Sequence, residues 1–300
     1  MALVKDDLSE LNKLRVPDGK NISLKDWSTD YTGDKLDKAK GKDLLEIGRD
    51  RLSELQDKLY AHNQYSVLLV FQAMDTAGKD GAIKHIMSGL NPSGVQVTSF
   101  KIPSSSELDH DYLWRHYIAL PARGEIGIFN RSHYENVLVT KVHPEFILKE
   151  NLPEINSVKD IDDKFWENRY KQINRFEKNL FQNGTIILKF FLHLSKKEQK
   201  KRLIARIDDP LKNWKFSPAD ARERNFWDQY QKAYEDVLSN TSKDYAPWFI
   251  IPADDKWFTR VAIAGIMYIH FKELNLEYPQ VSEERKAELK VIKEELLNEK

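Results

Sequence analysis

Val67-Leu68-Leu69-Val70-Phe71, running directly into Gln72-Ala73-Met74-Asp75-Thr76-Ala77-Gly78-Lys79-Asp80-Gly81-Ala82-Ile83-Lys84, is the stretch on which the architecture turns. Five apolar residues without a polar interruption describe a strand buried on both faces, the pattern of a parallel sheet covered by helices. A Gly-Lys turn follows, and then a helical pattern. Strand, Gly-Lys turn and helix together are the setting of a phosphate-binding loop. A loop that feeds a helix N-terminus aims free N–H groups and the positive end of the helix dipole at an anion. Gly78 lets the backbone approach that anion closely, and Lys79 adds a point charge.

Against the pattern G-x-x-x-x-G-K-S/T, Ala73 replaces the first glycine and Asp80 the hydroxyl residue that would hold magnesium. The loop and helix start nominate Ala77, Gly78, Asp80, Gly81 and Lys84 as substrate-binding residues. Asp75 would repel phosphate unless a cation neutralised it. A magnesium ion shared between Asp75 and phosphate oxygens resolves that conflict, because Mg²⁺ favours carboxylate plus phosphate ligands. The structural alternatives are an ordinary turn with a solvated Lys79 and an Asp75 that caps it.

Working outward, Val95–Phe100, Ile126–Phe129, Thr185–Leu192 and Trp248–Ile251 repeat the short apolar run. Helical patterns lie before and between them, at Leu45–His62, Leu108–Ile118, Lys164–Phe181 and Lys196–Ile207. Alternating strands and helices predict an α/β sandwich with a mostly parallel sheet. One domain over 1–300 is the simplest organisation. It has a polar N-terminal arm at 1–40, an inserted helical lid at about 206–240, and an amphipathic C-terminal helix within 281–300.

The third run ends in Asn130-Arg131-Ser132-His133-Tyr134-Glu135. Ligands gather at the C-terminal ends of strands in α/β sheets, so Arg131 is a candidate to pair bidentately with phosphate, a surface ion pair being the alternative. His133 reads as a packing or hydrogen-bonding residue and not a catalyst, with no neighbouring acid evident to orient its ring. After the second run, Leu108, Tyr112 and Arg115 are expected on one helix face, where Arg115 would reach a nucleotide phosphate or simply be solvated. In the lid, Lys200, Lys201, Arg202 and Arg206 precede Lys212 and Lys215. Ser217 then caps a new helix that has Pro218 at its first position and carries Arg222 and Arg224. Two basic helices joined by a hinge-like turn would close over a polyanion and exclude water.

The 47 basic and 47 acidic residues cancel, which argues against a chain-wide grip on nucleic acid. With no cysteine, disulfides, thiolate metal sites and cysteine nucleophiles are excluded. No apolar run is long enough for a bilayer, and MALVKDDLSELNK is too acidic for a secretory signal, so a cytoplasmic chain without membrane contact is expected.

FQAMDTAGKDG, FKIPSSSELDHDYLWR, IFNRSHYENVLV and RIDDPLKNWKFSPADARER with DYAPWFIIPADDKWFTR occur in this order, and through them the chain resembles the polyphosphate kinase 2 family over roughly residues 40–275. The resemblance implies a P-loop kinase-like three-layer core with a helical lid. It also implies reversible transfer of the terminal phosphate of inorganic polyphosphate to nucleotides with magnesium, manganese being the substitute. Asp75 would then place the metal, Lys79 hold phosphate, Arg131 bridge donor and acceptor, and Arg206 act from the lid. Asn130, where many members carry Asp, resembles the branch that accepts both AMP and ADP. Homo-oligomers, dimers or tetramers, are the assembly the resemblance implies. The competing readings are an ATP-dependent nucleoside monophosphate kinase and a non-catalytic nucleotide- or polyanion-binding relative.

Overall fold

The computed structural model describes residues 10–31 and 36–299, so the arm at 1–9 and 32–35 and the final residue lie outside the described residues. Five strands form one sheet: β1 (Ser66–Ala73), β2 (Val95–Ser99), β3 (Ile126–Asn130), β4 (Thr185–His193) and β5 (Trp248–Pro252). Their order is β2-β3-β1-β4-β5, and every neighbouring pair is parallel.

The helices that build the layers are α1 (Lys38–His62), α2 (Lys79–Met87), the single turns α3 (Ser105–Leu108) and α4 (Trp114–Tyr117), α5 (Glu135–Val142) and α6 (Asp163–Gln182). After them come α7 (Lys196–Asp208), α8 (Pro218–Glu223), α9 (Trp227–Thr241), α10 (Lys256–Glu273) and α11 (Glu283–Asn298). The unbroken run in β1 has a direct cause in these layers. Val67, Leu69 and Phe71 enter a core made with α1, α2 and α10, while Leu68 and Val70 enter a second core made with α5, α6 and α9. Side chains alternate across a strand, so a strand covered on both faces needs apolar residues at every position. The result is the expected three-layer α/β sandwich. No helix among the described residues is long and apolar enough to cross a membrane.

Three local expectations change. The run at 95–100 is a strand, but β2 is an edge strand with no fully buried residue, because only β3 pairs with it. The helix expected over 108–118 breaks into α3 and α4. Ser104 and Glu107 close a capping box on α3, and Leu113 N–H bonds to the Asp111 carboxylate, which restarts the chain as a turn before α4. The third change shortens the lid. In α9 the residues Trp227, Tyr230, Ala233, Tyr234, Val237 and Leu238 are buried, which makes it a core helix. The exposed insertion therefore runs from Asp209 to Phe226, with Leu211 and Trp214 83% and 75% exposed at its tip. Ser217 accepts from the Ala219 amide with Pro218 at the helix start, as the sequence predicts.

The described part of the arm lies over the other edge of the sheet. Val16 N–H donates to Trp248 O at 2.9 Å, and Arg15 forms an antiparallel bridge with Phe249, so β5 is buried throughout although it is last in the order. Glu283–Asn298 is a helix as expected, and none of its residues is buried.

A fully buried ion pair sits behind β3. Lys189 Nζ on β4 donates to Glu177 Oε2 of α6 at 2.6 Å, to Tyr134 Oη at 2.8 Å and to Thr241 O at 2.7 Å. Tyr134 Oη in turn donates to Glu177 Oε1 at 2.8 Å. Burial pulls the Lys189 ammonium down to about 8, opposed by Glu177. Burial would raise the Glu177 carboxyl, but Lys189 and His133 outweigh it and hold it below the usual range. Removing one partner of such a pair strands the other charge in the core. Glu177→Ala should therefore cost about 3–5 kcal/mol of unfolding free energy, measured by denaturant titration.

Candidate active site

The Gly-Lys turn sits where β1 ends and α2 begins. Gly78 has φ +105°, a left-handed conformation that glycine adopts without strain, and it stands just before the helix. A helix start leaves its first N–H groups without intrahelical acceptors, so the amides entering α2 are the natural anion donors. Thr76 also has a positive φ, 65°, and its buried hydroxyl oxygen has no partner. Ala77 is buried beneath the turn, whereas Gly81 is exposed and a Cβ there would meet nothing within 4 Å.

Lys79 folds back over the loop, its Nζ donating to Ala73 O at 2.8 Å. Burial lowers its pKa and Arg131 adds to the effect, against the pull of Asp75, Glu135 and Asp80. Parallel pairing of β1 with β3 places Phe71 beside Asn130. The chain then turns sharply: Arg131 has φ 63°, and its amide donates to Phe71 O at 3.1 Å. That turn carries the Arg131 guanidinium back to Asp75, with Nη2 to Oδ1 at 3.2 Å. Asp75, Lys79 and Arg131, three of the four residues expected to be catalytic, are thus brought together by two adjacent strand ends, whereas the fourth, Arg206, lies on α7.

Asn130 lies between the same elements. Its Nδ2 donates to Asp80 Oδ1 at 2.8 Å and, more weakly, to Ser99 Oγ at 3.4 Å. The amide therefore fastens the end of β3 to the first turn of α2, a job that a carboxylate facing Asp80 would oppose.

Glu135 completes the group and was not among the residues nominated from sequence. Burial raises its pKa, while the nearby Arg131 and Lys79 charges and the Gln72 side chain pull it down. The available signal was an acid opening the helix directly after a strand end that carries an arginine. His133 also departs from expectation, because an acid does orient it: Nε2 lies 3.3 Å from Glu177 Oε1, and the ring is fully buried. Glu177 lies 44 residues away in sequence. Burial pushes the imidazole pKa down, so His133 belongs to the buried network and not to the reacting groups.

The remaining nominated residues lie farther out or are differently engaged. Arg115 pairs with Glu107 at 3.2 Å and lies over the Phe100 ring, 5.1 Å from its centroid. Lys84 is exposed on α2 beyond the loop. Arg206 sits on α7, and Lys212 is bound to Asp209 within the insertion. The side chain of Lys215 lies outside the described residues. Arg202 and Arg224, expected among the lid cations, are turned to protein acceptors instead. A cavity of about 760 Å³ opens at the opposite end of α2, lined by Lys42, Leu52, His85, Leu90, Trp257 and Arg260. It contains none of the loop residues, so the site is assigned by its convergent charges and not by the roomier hollow.

The metal expectation can be tested on the donor set. Among the described residues no group of three or more His, Asp or Glu side chains converges to cage an ion. Asp75 is one partly exposed carboxylate at the loop mouth, which fits a Mg²⁺ that takes most of its ligands from water and substrate phosphates.

These features define a phosphate-handling α/β enzyme with a basic insertion. The chain belongs to the polyphosphate kinase 2 family, whose model matches residues 35–279. It is 47% identical over 285 residues to an ADP-polyphosphate phosphotransferase of Rhodopseudomonas palustris, spanning 95% of this chain and 98% of the relative. It is 44% identical over 272 residues to an AMP/ADP-polyphosphate phosphotransferase of Meiothermus ruber, spanning 90% and 96%. The crystal structure of polyphosphate kinase 2 from Arthrobacter aurescens TC1 superposes with a TM-score of 0.84 at 41% identity, covering 94% of this chain and 95% of that one.

Asn130→Asp places two carboxylates face to face across the β3–α2 junction. The folded state should lose about 1 kcal/mol at pH 7. The loss should fade as pH falls through about 4, where protonation relieves the repulsion. Denaturant titrations at the two pH values check both the sign and the window.

Proposed function

We propose that this chain transfers the terminal phosphoryl group of inorganic polyphosphate to AMP and to ADP, reversibly, giving ADP and ATP. The observation that carries the reading is the meeting of Lys79, Arg131 and Asp75 at a glycine-started helix, within a chain that matches polyphosphate phosphotransferases over nearly its whole length. A terminal nucleotide phosphate oxygen attacks the end phosphorus of polyphosphate in line. The bond from that phosphorus to its bridging oxygen breaks, and the electron pair leaves with a polyphosphate one unit shorter. The nucleophile is already ionised, so no general base is required. Catalysis is then positioning and charge neutralisation.

In this reading the α2 amides and Lys79 hold the transferred phosphoryl group, and Arg131 lies between donor and acceptor. Lys84, Lys212, Lys215 and Arg206 bring positive charge along the polyanion, and Arg115 serves the nucleotide side. Asp75 would hold Mg²⁺, or Mn²⁺ in its place, and the bound ion supplies neutralisation of phosphate charge. Glu135 is assigned to keep Lys79 and Arg131 charged and aimed. The chain works as one domain with a lid, in the cytoplasm and as a homo-oligomer, without nucleic acid or membrane partners.

The test is ³¹P NMR of AMP with polyphosphate and Mg²⁺, with no ATP added. ADP followed by ATP is the expected course. Activity only with an ATP donor would instead make the chain a nucleoside monophosphate kinase, and tight binding without turnover a non-catalytic relative. Lys79→Ala should lower kcat by about 100- to 1000-fold, by comparison with loss of a transition-state donor. A near-wild-type rate would sink the assignment of Lys79.

A further inference from the structure

We propose that Arg202 is a positioning residue that holds the phosphate loop in its binding conformation and sets α7, the helix leading into the insertion, against it, an inference that rests on the phosphoryl-transfer reading above. Arg202 lies on α7 with a side chain only 8% exposed. All five of its N–H donors find acceptors. Nε bonds to Glu198 Oε1 at 2.9 Å. Nη1 bonds to Thr76 O at 3.2 Å and Ala77 O at 2.9 Å, and Nη2 to Ala253 O at 2.7 Å and Asp254 O at 2.9 Å. A single planar fork thus joins the phosphate loop, the residues just after β5 and α7.

In a planar trans peptide the C=O and the next N–H point in opposite directions. Holding Ala77 O toward α7 therefore aims the Gly78 N–H away from α7, and holding Thr76 O fixes the preceding peptide plane, whose Ala77 N–H donates to Met74 O, in the same way. Thr76 carries a φ of 65°, which a non-glycine residue keeps only where its surroundings over-determine it. The clamp on its carbonyl supplies that constraint.

Two more contacts make α7 a strut between loop and lid. Gln199 Nε2 donates to Asp75 O at 3.1 Å. Arg224, on the return side of the insertion, donates to Gln199 Oε1 at 2.6 Å and to Lys196 O at 3.2 Å. Both ends of the insertion therefore land on the helix that grips the loop. Arg206, four residues after Arg202, projects from the same rigid element. Lysine does not replace this arrangement, because its three donors radiate from one point and do not span carbonyls on two separate loops.

Full-length Arg202→Lys and Arg202→Ala, compared with wild type, decide the matter. In Arg202→Lys the charge persists while alignment is lost, so its kcat should fall about 100-fold and its KM for AMP and polyphosphate should move less than about 3-fold. Millimolar guanidinium should return about 10-fold of the lost rate to Arg202→Ala and none to Arg202→Lys, where the cavity is filled. Amide hydrogen exchange across residues 76–80 should speed by about 10-fold in both variants. Glu198→Gln keeps the arginine but removes the carboxylate that aims it, and should speed the same amides by about 3-fold even if the Arg202 variants fold poorly. Unchanged exchange in Glu198→Gln and in a folded Arg202→Lys would overturn the proposal whatever the rates. Absence of polyphosphate-driven transfer in wild type would overturn the functional reading alone, since the exchange result still decides the role of Arg202.

Discussion

The site depends on β1 being hydrogen-bonded along both sides at once. Its register with β3 runs from Val67–Ile126 to Phe71–Asn130, and with β4 from Ser66–Thr185 to Ala73–Leu192. Parallel pairing brings three strand ends to one edge of the sheet, where ligands collect in folds of this kind. The Gly-Lys turn leaves from the centre, the arginine-bearing turn from one side, and the chain to α7 from the other. Slip β3 by one residue, and its side chains exchange cores while Arg131 leaves Asp75. The charged groups are thus placed by the packing of apolar ones: Leu68 and Val70 on one face, Val67, Leu69 and Phe71 on the other.

Much of this was legible in order along the chain. A run with no polar break followed by Gly78-Lys79 specifies strand, turn and helix from local chemistry alone. Ser217-Pro218 marks a helix start for the same reason. What escaped local reading was decided by partners distant in sequence. The 95–100 run reads as a buried strand, yet β2 has a neighbour on one side only. The amphipathic pattern at 108–118 competes with side-chain caps at Ser104 and Asp111, and the caps prevail. Arg202 is one basic residue among several on its helix until the residues just after β5 and the phosphate loop present it with four carbonyls. Glu177 meets His133 only because α6 packs behind β3.

The electrostatics of the edge follow one theme. Acids at this edge meet donors: Asp75 faces Arg131, Asp80 faces the Asn130 amide, and the charges of Arg131 and Lys79 act on the buried Glu135 carboxyl. Asp75 and Asp80 thus hold Arg131 and the Asn130 amide at the strand ends. The arrangement is prepared in advance, which is how electrostatic catalysis avoids reorganisation during the reaction.

The N-terminal strap has a consequence for how the chain comes together. Residues 15 and 16 lie outside the stretch matched by the family model, yet they cover the β5 edge, with Arg15 tied to Asp244 across 229 positions and Ser242 bonded to Val16 O across 226. On a ribosome the strap emerges long before its partner, which is 226 to 229 positions further along the chain. Until then β5 is either unmade or bare-edged, and a bare edge invites pairing with another nascent chain. Closure of the strap therefore depends on a long-range contact made across most of the chain, and it takes the sheet's open side away from its neighbours.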